Sequence, residues 1–271
     1  MTQPLLQVHE VTVSYGGLHA VDGLSMKIDP GAIVGLIGPN GAGKTTFIDA
    51  LTGFTPFSGE VVFDSESINR LSPHQRARRG LSRTFQSLEL FEDLTVRENL
   101  RSASIRQKWW SVFADLFLPG RQGGDAENLT WAMNTMDLHD VADELPDELS
   151  HGRRKLVTVA RALVMRPKML LLDEPAAGLS SSDSLEFGRE LKRLRDSGIT
   201  IFLVDHDMGL VLSTCDYVYV LEFGQLIAEG SPAQIRKDPR VIAAYLGAHV
   251  EEQIDEVDVA PMIPSGPGAT A

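Results

Sequence analysis

The chain is poor in cysteine and has no long apolar run. Its 271 residues include a single cysteine, Cys215, so no disulfide can form within the chain. This fits a reducing compartment, with Cys215 as a core residue. No apolar run approaches the roughly 18 residues that indicate a membrane-spanning helix, and the first ten residues lack the basic start and apolar centre of a secretory signal. We therefore expect any work at a membrane to be done through partner proteins.

Basic residues are also in deficit. The chain has 25 lysines and arginines against 37 aspartates and glutamates, which gives a net charge of −12. Proteins that bind nucleic acid neutralise its phosphates with basic side chains, so this balance argues against a nucleic-acid partner. The length and the 43% hydrophobic content are ordinary for one large α/β domain, with room for an inserted subdomain.

What the chain does contain is a glycine-rich stretch, GPNGAGKTT, from Gly38 to Thr46. It matches the phosphate-binding pattern G-x-x-x-x-G-K-[ST], in which Gly38, Gly43, Lys44 and Thr45 take the fixed positions. Glycines let backbone N–H groups converge on phosphate oxygens without interference from side chains. Lys44 adds a full positive charge, and Thr45 offers a hydroxyl to magnesium. The stretch predicts a nucleotide-phosphate site.

The setting of this stretch favours the same interpretation. The apolar residues 32–37 predict a short strand buried on both faces, and residues 46–51 predict a helix. A helix that begins there directs its free N–H groups and the positive end of its dipole at the same anions. A chance glycine turn before a helix is the alternative, and the strand, turn and helix together argue against it.

Acidic and imidazole side chains follow two further apolar strands. Residues 169–172 precede Asp173 and Glu174, at the strand end where ligands bind in open α/β sheets. Asp173 suits a magnesium shell, and Glu174 can take a proton from an attacking water. Residues 200–204 lead to His206, which can hydrogen-bond the γ-phosphate or the water. A lone histidine is more often a surface or packing residue, but its position at the strand end favours function.

Two candidate positions have less support from their surroundings. Tyr15 ends the first strand of a hairpin predicted at residues 6–15 and 20–28. Its ring can stack on adenine, or it can simply cover the rim of the sheet. Gln86 follows another predicted strand, and its amide oxygen can ligate magnesium and position water. Taken alone, Gln86 is equally well explained as a solvated loop residue.

A second helix start also has the character of an anion site. Residues 149–153 read LSHGR and precede a helix that runs to about residue 165. Ser150 is placed to cap that helix, and capping alone would explain the serine. Together with Gly152, however, the exposed helix start can bind an anion. The phosphate loop already serves the nucleotide, so this second site needs its own explanation.

The remaining stretches are described by their patterns. Residues 94–165 are predicted to be helical with a loop at 119–124, and the apolar residues 109–117 indicate a helical core or a protein docking surface rather than contact with lipid. One helix is predicted over residues 232–245. The tail 251–271 is acidic and then rich in proline, glycine and alanine, which predicts disorder.

Taken in order, Tyr15, GPNGAGKTT, Gln86, LSHGR, LLLDEP and His206 resemble the motifs of the ATP-binding cassette ATPases. The resemblance spans about residues 5–247, and LSHGR looks like the family signature LSGGQ. It implies a P-loop cassette with a RecA-like parallel sheet, an antiparallel β subdomain and an inserted helical subdomain at about residues 88–165. The cassette would occupy residues 1–250, followed by the tail.

The resemblance implies ATP and Mg²⁺ as ligands and assigns residues to them by position. The implied nucleotide-contacting residues are Tyr15, Gly38, Asn40, Gly41, Gly43, Lys44, Thr45, Thr46, Ser150 and Gly152. The implied magnesium ligands are Thr45, Gln86 and Asp173. The implied catalytic residues are Glu174, which polarises water, His206, which senses the γ-phosphate, and Lys44 and Gln86.

Family members pair head to tail, so the signature of one cassette closes over ATP bound by the other. Ser150 and Gly152 would then act in trans, which explains the second anion site. Residues 177–180 would let the two sites communicate. Three positions depart from the family pattern: His151 replaces a glycine, Arg153 replaces a glutamine and Ser180 replaces an aspartate. These departures affect contact details and turnover more than ATP binding.

Finer features resemble the ATPase subunits of branched-chain amino acid uptake systems. They are DEPAAGL, VDHDM, the insert around residues 109–124 and the ending from residue 220. The implied partners are a second cassette, identical or related, separate transmembrane permeases, and an external solute-binding protein reached through them, at the cytoplasmic face of the membrane. A lipopolysaccharide-export ATPase is the alternative within the class.

Two other kinds of protein are alternatives to a transporter ATPase. Soluble cassette proteins that act on ribosomes or DNA usually carry two cassettes or a long coiled coil, and this chain shows neither a second cassette nor sustained heptads. A regulator that binds nucleotide but scarcely hydrolyses it is compatible with the altered signature.

Overall fold

The computed structural model describes residues 3–84, 90–104 and 123–245. The strands are β1 Leu6–Tyr15, β2 Leu18–Ile28, β3 Ile33–Ile37, β4 Ser58–Phe63, β5 Glu66–Ser67, β6 Leu81–Thr84, β7 Met169–Asp173, β8 Thr200–Val204, β9 Tyr217–Glu222 and β10 Gln225–Gly230. The α-helices are Lys44–Thr52, Pro73–Arg78, Val96–Ser104, Gly123–Thr135, His151–Leu163, Ser181–Asp196, Met208–Thr214 and Pro232–Ile235, with a further helix over residues 239–245.

A six-stranded sheet forms the centre, in the order β10-β9-β3-β8-β7-β6. All of its pairs are parallel except the hairpin of β9 and β10. Every residue of β3, β7 and β8 is buried, because the sheet is covered on both faces. The three apolar runs therefore predicted these strands correctly, and their carboxyl ends meet at one edge of the sheet.

A four-stranded antiparallel sheet, in the order β2-β1-β4-β5, lies beside the central sheet. β1 alternates in burial on each side of an irregularity between Val8 and Val11, which shifts the register by one residue. Leu6 and Val8 before it and Val11 and Val13 after it therefore all face the core. The predicted hairpin is confirmed, and its second strand begins two residues earlier than expected. This sheet shares a core with β3, and its hairpin also reaches the phosphate loop.

The described chain between β6 and β7 forms the α-helices Val96–Ser104, Gly123–Thr135 and His151–Leu163. Residues 136–150 form turns and the short 3-10 helix Pro146–Glu148 instead, so the helical pattern predicted over residues 94–165 is wrong there. Val96 and Leu100 of the helix Val96–Ser104 lie in the same buried core as Met133 of the helix Gly123–Thr135. The buried side chain of Asn99 holds the turn before its helix, since its amide group hydrogen-bonds the carbonyl oxygens of residues 91, 94 and 95 and accepts from the Phe91 N–H. Among the residues that the structure describes, no helix has both the length and the apolar character to cross a bilayer.

The single helix predicted over residues 232–245 is wrong, because the chain forms two helices there. The first ends at Ile235 and the second covers residues 239–245. Pro239 explains the break, since a proline disfavours helical backbone at the preceding residue, here Asp238. The carboxylate of Asp238 also accepts a hydrogen bond from the Arg240 N–H, which satisfies a donor at the new helix start.

Several sequence predictions lie outside the described residues. They concern Gln86, the apolar stretch at residues 109–117, most of the loop at 119–124, and the tail at 251–271.

Candidate functional site

The phosphate loop connects β3 to the helix Lys44–Thr52, called here the P-loop helix. Gly43 caps this helix in a left-handed conformation with φ 99°, and a Cβ there would lie 2.2 Å from the Ala20 carbonyl oxygen. At Gly38 a Cβ would lie 2.1 Å from the carbonyl oxygen of Leu221. Any side chain at these positions would displace backbone, so the fixed glycines of the motif are explained by close packing as well as by ligand approach.

Lys44 lies folded back over the loop that carries it. Its ammonium donates to the carbonyl oxygens of Gly38 at 2.7 Å and Pro39 at 3.0 Å, and the side chain is buried. Burial lowers the pKa of Lys44 below its usual value. Three nearby carboxylates oppose this shift, and they belong to Glu174, Asp205 and Asp173. The loop and the ends of β7 and β8 therefore meet in one electrostatic site.

Two carboxylates mark the end of β7. The side chain of Asp173 is 6% exposed and accepts a hydrogen bond from Arg83 Nη2 at 2.8 Å. Glu174 adopts φ 46°, an unusual conformation for a residue with a side chain, and its N–H donates to the Val204 carbonyl oxygen at 2.7 Å. Strained backbone of this kind is often found at functional sites, and here β8 holds it in place.

His206 follows β8 and lies near two carboxylates, those of Glu174 and Asp205. Its Nδ1 lies 3.8 Å from Glu174 Oε2 and 3.6 Å from Asp205 Oδ1, while the imidazole is 54% exposed. Asp205 is fully buried and accepts hydrogen bonds from the N–H groups of Ala176 and Asp207. Burial raises the pKa of Asp205, although both hydrogen bonds oppose the shift. Asp205 therefore fixes the turn after Glu174 relative to His206.

The predicted signature begins the helix His151–Leu163, called here the signature helix. Ser150 caps it as predicted, accepting from the Arg153 N–H at 3.3 Å. The Arg153 guanidinium binds both carboxylate oxygens of Asp140, at 2.8 and 2.7 Å. His151 instead turns toward the carbonyl oxygen of Ala177, at 3.4 Å. The two unusual signature residues thus contact different parts of their own chain.

Ser150 and Gly152 open onto a cavity of about 210 Å³, which is separate from the phosphate loop. Acidic side chains, among them Asp137, Asp183 and Glu186, also line this cavity. Arg153 also lines the cavity, but its guanidinium is paired with Asp140, so the lining carries an excess of negative charge that opposes phosphate.

The other predicted positions lie as follows. Tyr15 ends β1 with 56% of its surface exposed, so its ring is available for stacking. Ser180 caps the helix Ser181–Asp196 by accepting from the Asp183 N–H at 3.2 Å, a capping role that the aspartate of the family pattern would fill equally well. Gln86 lies outside the described residues, so its predicted role stays a prediction.

Two residues near the site were missed as positioning groups by the sequence reasoning. Arg83 binds Asp173, and Asp205 holds the turn after Glu174. A charged residue within a strand of a buried sheet was the available signal for Arg83. The position of Asp205 directly after the apolar run 200–204 offered a similar signal for that residue.

The donor set fits magnesium held together with a nucleotide. Thr45 is exposed at the start of the P-loop helix, and Asp173 supplies carboxylate oxygens. Within the described part of the chain no group of three or more histidine, cysteine, aspartate or glutamate side chains is arranged to hold a metal. Magnesium usually takes one or two protein ligands and completes its shell with phosphates and water, so a sparse protein set is the expected one.

Known proteins and solved structures resemble this chain over most of its length. The family profile described as ABC transporter matches residues 21–177, and the profile described as branched-chain amino acid ATP-binding cassette transporter matches residues 225–251. The chain is 39% identical over 253 residues to the high-affinity branched-chain amino acid transport ATP-binding protein BraF of Pseudomonas aeruginosa, covering 91% of this chain and 99% of BraF.

Two further comparisons extend this finding. The lipopolysaccharide export system ATP-binding protein LptB of Escherichia coli is 35% identical over 244 residues, covering 89% of this chain and 97% of LptB. The crystal structure of the ADP conformation of MJ1267, an ATP-binding cassette of an ABC transporter, superposes with a TM-score of 0.81 at 31% identity, covering 91% of this chain and all of that one.

Proposed function

The chain belongs to the ATP-binding cassette transporter family, and from that premise we propose that it is the ATP-hydrolysing subunit of a transporter that imports branched-chain amino acids. One observation carries the proposal: the phosphate loop, Glu174 and His206 meet at one sheet edge in a chain that is similar to BraF along nearly its whole length. The match of residues 225–251 to the branched-chain amino acid profile supports the substrate class.

The phosphate loop binds the nucleotide in this proposal. Backbone N–H groups at Gly41 and Gly43 and the start of the P-loop helix, through Thr45 and Thr46, surround the phosphates. When the nucleotide binds, the Lys44 ammonium leaves the carbonyl oxygens of its own loop and donates to phosphate oxygens instead. The negatively charged phosphate then pairs with the buried positive charge. The exposed ring of Tyr15 stacks on adenine, while Gly38 and Asn40 shape the loop.

Magnesium would be held by Thr45, Asp173 and Gln86, and when bound it neutralises charge on the phosphates. Glu174 orients the attacking water and accepts its proton, as the water oxygen bonds to the γ-phosphorus and the bond from that phosphorus to the bridging oxygen breaks. The spacing of 3.8 Å between His206 and Glu174 lets the imidazole contact the same water or the γ-phosphate.

In this proposal a second cassette completes the nucleotide site with its signature residues. Ser150 and Gly152 face an acidic cavity of their own chain, so we propose that they bind the γ-phosphate held by a partner cassette, identical or related. The pair would act at the cytoplasmic face of the membrane on separate permeases that receive solute from an external binding protein. In this proposal the cassette covers residues 1–250 and is followed by the tail. Residues 88–165 form its helical subdomain, which docks against the permeases together with Gln86.

Trapping the paired state tests the hydrolytic site. Glu174→Gln keeps the shape of the side chain but cannot accept the proton, so the variant should bind Mg-ATP, form a stable dimer and hydrolyse slowly. Light scattering with ATP and magnesium measures the dimer, and phosphate release measures turnover. The double variant Lys44→Ala with Glu174→Gln serves as the control and should stay monomeric. Hydrolysis at the normal rate by Glu174→Gln would remove Glu174 from its proposed role.

Growth and uptake test the substrate class. The gene is introduced, with its neighbouring permease genes, into a bacterium that lacks its own branched-chain amino acid importer, and uptake of labelled leucine is measured. Uptake should require ATP hydrolysis, so Lys44→Ala should abolish it. The similarity to LptB makes lipid export the second candidate. Copurification with a lipid-export permease, without leucine uptake, would favour that candidate.

A further inference from the structure

Arg83 connects the end of β7 to the P-loop helix. Its Nη2 donates to Asp173 Oδ2 at 2.8 Å, and its Nη1 donates to Asp49 Oδ1 at 2.6 Å and to the Thr52 hydroxyl at 3.3 Å. The side chain of Arg83 is 8% exposed and that of Asp173 is 6% exposed. We call the set Asp49, Arg83 and Asp173 the arginine bridge.

The arginine bridge connects the P-loop helix to the end of β7. Asp49 follows Thr45 by four residues, so the two side chains lie on the same face of the helix, one turn apart. Asp173 ends the strand next to β6, where Arg83 is aligned with Leu171. Arg83 therefore links two elements that each carry a proposed magnesium ligand, Thr45 on one and Asp173 on the other.

Arginine suits this task better than lysine. Its guanidinium is planar and presents several N–H groups in a fixed fork, so it can bind two carboxylates in defined directions at once. Little solvent reaches the bond to Asp173, and the ion pair is therefore only weakly screened. The pair occupies Oδ2 and restrains rotation of the carboxylate, which limits the directions that Oδ1 can take.

We propose that Arg83 is the positioning residue of the magnesium site, because through Asp49 it sets the distance and orientation of the Asp173 carboxylate relative to Thr45. The inference rests on the proposed magnesium–nucleotide site, and it adds a residue that holds the ligands without touching metal or nucleotide. Losing the bridge should therefore weaken magnesium-dependent binding more than binding of the nucleotide itself.

The measured quantity is a ratio: the dissociation constant for ADP in EDTA divided by the dissociation constant for ADP in excess magnesium. Isothermal calorimetry gives both without hydrolysis. For Arg83→Gln this ratio should fall roughly tenfold, the low end of the effect of removing a group that orients a metal ligand. Arg83→Lys keeps the charge but not the fork, so its ratio should lie between those of Arg83→Gln and the wild type. A ratio for Arg83→Gln equal to that of the wild type overturns the proposal.

Asp49→Asn tests the proposal without leaving Asp173 unpaired, since Arg83→Gln strands a buried carboxylate and can unfold the protein. The side chain of Asp49 is 32% exposed and lies on the far side of Arg83 from Asp173. Its replacement should still lower the ratio at least about twofold, because the arginine loses its charged partner on the helix side and keeps only neutral acceptors there, the new amide oxygen and the Thr52 hydroxyl.

Asp64→Asn is the matched control, because it removes the same charge from an exposed ion pair with Lys168, before the opposite end of β7. Its ratio should equal that of the wild type. If the ratio for Asp49→Asn equals that for Asp64→Asn, the arginine bridge does not position the site and the proposal fails. If the wild type itself shows no magnesium dependence, the magnesium–nucleotide site fails, and the bridge proposal fails with it.

Discussion

The imidazole Nε2 of His151 lies 3.4 Å from the carbonyl oxygen of Ala177, so the start of the signature helix touches the loop of residues 177–180 in the same chain. Gly178 accommodates this contact. It adopts φ 81°, and a Cβ there would lie 3.0 Å from the same imidazole nitrogen. The histidine that replaces a signature glycine is therefore packed against the loop proposed to connect the two nucleotide sites.

Removing this contact should loosen the loop. In His151→Ala, the amides of residues 176–180 should exchange with deuterium faster than in the wild type, because the imidazole no longer covers the loop or hydrogen-bonds it. Exchange measured by mass spectrometry on peptides from this loop provides the test. His139→Ala removes another exposed imidazole from the helical region and should leave the loop unchanged. Equal protection in His151→Ala and the wild type would show that the contact does not restrain the loop.

Two glycines of the phosphate loop should respond differently to alanine. Gly41 has φ 78° with nothing near its Cβ position, so Gly41→Ala should cost about 1 kcal/mol from backbone strain alone. Gly43 has φ 99° and faces the Ala20 carbonyl oxygen at 2.2 Å, so Gly43→Ala should cost more than about 3 kcal/mol. Urea unfolding of both variants measures the difference. Equal losses would mean that the loop shifts to avoid the clash.

Local patterns in the sequence predicted the buried strands and the loop between them. Residues 200–204 form β8 with the bounds expected from their pattern, because Gly198 before the strand and Asp205 directly after it limit how far it can extend. The phosphate loop was equally predictable, since its glycines and lysine have fixed spacings. Ser150 was expected to cap its helix and does so.

Contacts between residues far apart in the chain could not be read from these patterns. Arg83 meets Asp49 and Asp173 across 34 and 90 positions, and no local periodicity encodes such a pairing. The sequence likewise identified His151 as a departure from the signature, but its contact with Ala177 depends on how two elements pack. Positioning residues are therefore missed more readily than residues that bear the chemistry.

Arg76 should be among the most important polar residues for stability. It is buried and donates to the carbonyl oxygens of Ala50 and Leu51 at 2.7 Å each, at the last turn of the P-loop helix. Its charge also complements the negative end of the helix dipole. Arg76→Met keeps the apolar stem but removes the charged donor that both oxygens share, and within the described chain only Ala50 keeps a backbone partner, the Gly53 N–H at 3.2 Å. The free energy of unfolding should therefore fall by about 3 kcal/mol.

Urea unfolding again measures this loss, with Arg78→Met as the control from the same short helix. Arg78 is exposed, so its replacement should change stability by less than about 0.5 kcal/mol. A similar effect of both variants would show that water, rather than Arg76, satisfies the end of the P-loop helix.

Cys215 should make the folded protein less stable in alkaline solution. Burial raises the pKa of its thiol in the folded state, whereas in the unfolded chain the thiol ionises near pH 8.5, so above about that value only the unfolded state loses the proton. The folded state then binds more protons, and its stability falls by about 1.4 kcal/mol for each pH unit. Cys215→Ala lacks this dependence, so urea unfolding between about pH 7.5 and 9.5 should show wild-type stability falling more steeply than that of the variant. Parallel pH profiles would mean that the thiol ionises equally easily in both states.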